Sequence, residues 1–209
     1  MQYCLDTKTM EVYDVASAYF IAFNTRELFA RFNSKDPYLA MHSARTAMLS
    51  GILGFQLVRD QEFCQKIFVS GMLHDIGKLN MPNRILKSAT KLSEEDKKTI
   101  HAHPKDGVDL AKSLGVNDET ALNVVLNHHL RFDMTGYPEL NNPQCLASSI
   151  VSICDAFDAM RSKRPYTQPK TLEETLSEIE KGSGTQFHPL AVQAFLELKD
   201  LLALEARKN

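Results

Sequence analysis

His74 and Asp75 are adjacent and Lys78 follows three residues later, so an imidazole, a carboxylate and an ammonium lie together in types suited to a metal that holds a phosphate. On a helix, adjacent side chains diverge by about 100°. His74 and Asp75 would therefore grip two different metals, or one metal from its flank. The adjacent pair His128 and His129 poses the same geometric question, and two cations a few ångströms apart answer both. A carboxylate can bridge such a pair while neutral imidazoles hold each ion, an arrangement that favours iron, manganese, nickel or zinc over calcium or magnesium. His42, His103 and Asp155 complete a candidate set of five histidines and two aspartates. That is enough for two metals with positions left open for water and substrate.

The elements that position these residues read as helices. From about Glu11 to Phe32, Val12, Val15, Ala16, Tyr19, Phe20, Phe23 and Leu28 recur at helical spacing, which predicts an opening helix or pair of helices. Asn33-Ser34-Lys35-Asp36-Pro37 marks a break, and Pro37 suits the first turn of the helix that carries His42. Further helices are expected around 60–77, 93–113, 118–130, 143–162, 171–181 and 189–206, with Ser93 as an N-cap. Two stretches resist helix formation, Asn80 to Leu92 and Arg131 to Pro143, and both follow histidine-bearing helix ends. Loops in those places are natural walls for a pocket. With strand signals sparse, the expected class is all-α.

A chain of 209 residues, 44% of them hydrophobic, can bury one substantial core. Its net charge of −2 provides no broad basic field for duplex nucleic acid, so phosphate recognition must be local. No apolar run reaches the roughly 20 residues needed to insert into a membrane, and no secretory pattern opens the chain. It reads as cytoplasmic. Cys4, Cys64, Cys145 and Cys154 lack Cys-x-x-Cys spacing, which argues against a zinc ribbon or a disulfide framework.

His74-Asp75-Ile76-Gly77-Lys78, His103-Pro104-Lys105-Asp106-Gly107, the run from His128-His129 to Gly136-Tyr137-Pro138, Asp155-Ala156-Phe157-Asp158, and Arg164-Pro165-Tyr166 resemble, in order and spacing, the HD-GYP branch of the HD-domain phosphohydrolases. The resemblance implies an HD-domain helical bundle over residues 36–209, with a metal centre in its core and a GYP loop over the site, preceded by a helical extension, residues 1–35. It implies hydrolysis of cyclic di-GMP to pGpG, and in some members on to GMP, by metal-activated hydroxide. The implied metal ligands are His42, His74, Asp75, His103, His128, His129 and Asp155, with Asp75 bridging. The implied cofactors are two divalent ions, iron or manganese first and nickel or zinc next. Tyr38 stands where members with a third metal carry Glu. Lys78 and Asp75 are the implied catalytic residues, and Lys78, Tyr137, Asp158 and Arg164 the implied substrate contacts. Diguanylate cyclase domains are the implied protein partners. No oligomeric state is implied.

Some positions depart from the family pattern. Leu130 stands where Glu is usual, Met134 where Gly is usual, and Thr167 where a basic residue is common. These changes keep two further readings open: a catalytically weakened module that binds a cyclic dinucleotide or a partner, and a phosphohydrolase acting on cyclic GMP-AMP or another nucleotide. His101 reads as an outer neighbour of His103, and His188 as the cap of the last helix. Asp158 shares a helix face with Asp155, so pairing with a nearby Arg competes with its substrate role.

Overall fold

The computed structural model describes residues 25–88, 90–139, 144–163 and 168–206. Helix α1 spans Thr25–Lys35 and runs through the break expected at Asn33. A single residue, Asp36, separates it from α2, Pro37–Val58. Asp36 is extended, its carboxylate accepts the Tyr38 N–H at 2.9 Å, and Pro37 takes a first-turn position where a missing N–H costs nothing. Helix α2 ends at Arg59, which is left-handed at φ 56°. Asp60 then caps α3, Gln61–Leu73, by accepting the Phe63 N–H.

After α3 the chain tightens into a 3-10 turn, Ile76–Asn80. A short helix α4, Asn83–Leu86, follows inside a stretch expected to be non-helical. Helix α5, Glu94–Ser113, begins at the expected cap Ser93, whose hydroxyl accepts the Asp96 N–H. Then come α6, Glu119–Asn127, and α7, Leu146–Arg161. Helix α8, Leu172–Lys181, opens on a capping box between Thr171 and Glu174. The last expected helix is divided into α9, Pro189–Leu196, and α10, Lys199–Ala206. Among the described residues the only β pairing is two single bridges, Leu130 with Gly136 and Ser183 with Phe187. The apolar pattern from Glu11 to Asn24 lies outside the described residues.

Helix α2 packs against α3 and α7 and belongs to both apolar clusters. One gathers Leu53, Ile67, Ile150, Ile153 and Phe195. The other joins Leu28 and Phe32 of α1 to Leu39, Met72, Leu73 and Val125. Ile153 and Phe195 are fully buried, and truncating such a side chain to Ala costs about 2–5 kcal/mol. At the other end of the stack, Gly77 lets the 3-10 turn lie on α5, because a Cβ there would collide with the His103 carbonyl and stand 2.8 Å from the Gly107 nitrogen. That contact brings His103 next to Asp75. No described helix is long and apolar enough to cross a membrane.

Candidate metal centre

Helix ends supply the histidines. His74 caps the C-terminus of α3 and its Nδ1–H donates to Gly71 O at 2.7 Å, one of the last carbonyls of that helix. His128 caps α6 in the same way, with Nδ1 3.0 Å from Val125 O. His103 sits mid-helix in α5, where Pro104 cannot donate a backbone N–H to Ile100 O. The His103 Nδ1–H takes that carbonyl instead, at 2.6 Å. A carbonyl can only accept, so all three rings carry their proton on Nδ1 and turn Nε2 inward. The α3 and α6 C-termini also bring the negative ends of two helix dipoles to one place, which favours cations.

The inward nitrogens converge on Asp75, a fully buried residue. Its Oδ1 lies 3.2 Å from His103 Nε2 and 3.7 Å from His128 Nε2. Its Oδ2 lies 3.4 Å from His74 Nε2 and 3.6 Å from His42 Nε2. One carboxylate is thus shared by two groups that could each hold an ion: Asp75 with His103, His128 and His129, and Asp75 with His42 and His74. Asp155 adjoins the second, with Oδ1 3.1 Å from His42 Nε2 and 3.9 Å from His74 Nε2, and its Oδ2 is 4.0 Å from His129.

The residues fit metal. His74 Nε2 and Asp75 Oδ1 are buried without a hydrogen-bond partner, which in an apolar interior costs about 1–3 kcal/mol each unless something else occupies them. Burial opposes ionisation of Asp75, but Lys78 and the surrounding imidazoles hold its carboxyl well below the usual range. Burial and the neighbouring His74 and His103 hold His128 neutral, with a pKa lowered to about 4 despite Asp75. Anionic carboxylate and neutral imidazole are the forms a divalent ion takes.

Lys78 Nζ lies 2.7 Å from Asp75 Oδ2. The centre is closed around His42, His74, His103 and His128 and opens where Asp155, Lys78 and His129 are 16%, 22% and 24% exposed. Tyr137 stands beside that opening, its ring centroid 4.6 Å from His129 and 4.1 Å from His101, on which it stacks. His101, exposed on α5, is a neighbour whose part in holding Tyr137 no spacing rule revealed. Gly136 lets the loop close on itself: its φ is 99° and a Cβ would come within 2.5 Å of His129 O. Two backbone bonds anchor the same loop, from Phe132 N to Gln186 O and from Asp133 N to Thr185 O.

Asp158, expected as a substrate contact, faces His42 from the side away from Asp75. Its Oδ2 accepts the His42 Nδ1–H at 2.7 Å, and Arg45 grips both of its oxygens. The competing expectation is pairing with a nearby Arg; the Arg found here is Arg45, 113 residues away on α2. Arg45 was not singled out from sequence, although its place three residues after His42 puts both on one face of α2. Leu130 is buried, Met134 is left-handed at φ 67°, and His188 caps α9 as expected. Arg164 and Thr167 lie outside the described residues.

Helices that converge imidazoles on one shared, buried carboxylate define an all-α protein with a centre able to hold metal. The chain belongs to the HD domain family, whose pattern it matches over residues 30–190. It is 37% identical over 170 residues to a cyclic di-GMP phosphodiesterase of Thermotoga maritima, an alignment covering 79% of this chain and 46% of that protein. It is 30% identical over 174 residues to 3'3'-cGAMP-specific phosphodiesterase 3 of Vibrio cholerae, covering 82% of this chain and 37% of that one. The chain therefore spans less than half the length of these curated relatives. Its fold resembles the HD domain of the L. monocytogenes phosphodiesterase PgpH, with a TM-score of 0.64 at 17% identity, over 87% of this chain and 99% of that one. The all-α HD fold and the HD-GYP resemblance are borne out.

Proposed function

We propose that the chain is a metal-dependent phosphodiesterase that opens a cyclic dinucleotide, cyclic di-GMP first, to linear pGpG, and that it acts in the cytoplasm. The observation that carries this reading is Asp75: one buried carboxylate shared between two histidine groups, with the Lys78 ammonium 2.7 Å away at the open edge. When bound, two divalent ions, iron or manganese, would supply Lewis-acid charge and make hydroxide available near neutral pH. His103, His128, His129 and Asp75 would hold one ion; His42, His74, Asp75 and Asp155 would hold the other.

The protein's own groups act on the substrate from the open edge. Lys78 offsets the charge that builds on the scissile phosphate, a stabilisation worth about 10²–10³ in rate for a well-placed donor. Tyr137, stacked on His101 and close to His129, stands beside the opening, where it is proposed to contact a base. Arg164 is proposed as a further phosphate or guanine contact through its forked donors. Diguanylate cyclase domains are proposed as protein partners on the family resemblance alone.

A second substrate, the mixed GMP-AMP ring, is favoured by the Vibrio cholerae relative, whose name carries that specificity. The test is hydrolysis by protein purified without oxygen and reloaded with iron or manganese, offered each ring, with bound metal counted in the same sample. Linear pGpG with about two ions per chain supports the reading. Full metal occupancy with saturable binding and no product overturns it in favour of a binding module. Turnover of the mixed ring alone moves the substrate assignment.

A further inference from the structure

Three of the four buried ligand histidines give their Nδ1–H to neutral backbone carbonyls: His74 to Gly71, His103 to Ile100, and His128 to the end of α6. His42 alone among them gives it to a carboxylate. That carboxylate, Asp158, is itself buried and heavily donated to. Arg45 Nε reaches its Oδ1 at 2.5 Å and Arg45 Nη2 its Oδ2 at 3.0 Å, while the Ser162 hydroxyl donates to Oδ2 at 3.1 Å. Arg45 Nη2 also lies 2.9 Å from Ser162 Oγ, which ties the three side chains into one cluster. The cluster joins α2 to the C-terminus of α7, since Arg45 lies one turn beyond His42 and Ser162 one turn beyond Asp158.

We propose that Arg45 is a positioning residue for the metal centre, acting through Asp158 to fix the tautomer and orientation of His42 and so to distinguish the ion at the His42–His74–Asp75 group from its neighbour. The inference rests on the binuclear reading above and deepens it. A carboxylate behind an imidazole locks the ring and raises the basicity of the nitrogen that faces the metal. Arg45 keeps that carboxylate in place: a planar fork held by two bonds cannot be replaced by water without leaving a buried anion short of donors. At the other ion, His103 and His128 have neutral carbonyls behind them and His129 faces Asp155, so none of its histidines leans on Asp158 and that ion should not sense Arg45. Asp158 is then committed to the protein rather than to the nucleotide.

The experiment is a titration of the metal-stripped full chain with Mn²⁺ alone, read by competition with a chromophoric chelator, for the wild type and for Arg45→Ala, Arg45→Lys and Asp158→Asn. The wild type is expected to take up two ions. Arg45→Ala and Asp158→Asn should each weaken one of the two by roughly 10–100-fold and leave the other unchanged. Arg45→Lys, which keeps the charge and loses the fork, should recover part of the loss. Equal weakening of both ions, or unchanged binding of both, overturns the proposal. So does a raised KM for cyclic di-GMP with metal uptake intact, which would make Arg45 and Asp158 substrate contacts. Should Arg45→Ala fail to fold, the near-isosteric Asp158→Asn decides the matter. The titration contains no nucleotide, so selective metal loss in a protein that hydrolyses neither ring would keep this inference while the phosphodiesterase reading falls.

Discussion

His103 Nε2 and His128 Nε2 stand 3.2 Å apart while each ring's Nδ1–H is committed to a helix carbonyl. In the neutral tautomers two lone pairs point into the same small space, an arrangement that a cation relieves and an apolar core does not. Metal should therefore add folding stability. At a free Mn²⁺ concentration of 100 times Kd the expected gain is about 2.7 kcal/mol, seen as a rise in Tm that a chelator reverses. A Tm indifferent to both additions would remove the metal from the account of this core.

Uptake of metal should also release a proton. Burial lowers the pKa of His42, but the Asp155 and Asp158 carboxylates and nearby Asp75 outweigh burial and raise it to about 9 without an ion. His42 must lose that proton to ligate, whereas His128, at about 4, is already neutral near pH 7. The sign follows: affinity climbs with pH, by about tenfold per unit, through the neutral range and levels off above pH 9. Calorimetry in buffers of different ionisation enthalpy would count the released proton, and a count of zero near pH 7 contradicts the assignment.

Lys78→Ala should keep both ions and lose about 10²–10³ in kcat. Asp75→Ala should instead lose metal pairing and turnover together. Metal content and rate measured on the same preparations separate the two, and an active Asp75→Ala protein with two ions would end the bridging role.

Met134 occupies a left-handed conformation at φ 67° and is exposed. A side chain held there costs about 1–2 kcal/mol, part of which Gly returns through its greater freedom when unfolded. Met134→Gly should thus stabilise the protein by up to about 1 kcal/mol in denaturant unfolding. A loss of stability of similar size would mean that the Met134 side chain has a packing role.

Gly77→Ala should do the opposite. Its Cβ would meet the backbone of His103 and Gly107, so the 3-10 turn and α5 must separate. A destabilisation of about 1–3 kcal/mol is expected, with weaker metal binding because His103 moves from Asp75. Unfolding curves and metal titration of the variant test both parts.

The parts of this architecture legible in the sequence are those written by local chemistry. Pro37 and Ser93 sit at helix starts because the problem of unpaired N–H groups is settled within their own turns. The candidate His and Asp positions follow from residue type together with motifs whose order and spacing resemble the HD-GYP branch. What escaped was set by contacts across the chain. The Asp158–Arg45 pair spans 113 residues, and nothing near either position announces the other. The stack of His101 on Tyr137 likewise depends on how α5 meets a distant loop. The run of α1 through Asn33, and the helix at Asn83–Leu86 in a stretch without a clear period, show tertiary packing overriding weak local preference.

The bonds from Phe132 and Asp133 to Thr185 and Gln186 tie the roof of the centre to a turn beyond α8. Every candidate ligand precedes residue 156 in the chain, yet the loop that carries Tyr137 takes its footing some fifty residues later, as the numbering of that pair of bonds shows. A fragment ended after α7 would keep the whole metal-binding alphabet and lose the lid's mooring. The turn at Thr185 and Gln186, which holds no ligand of its own, thus helps fix where the loop beside the opening stands.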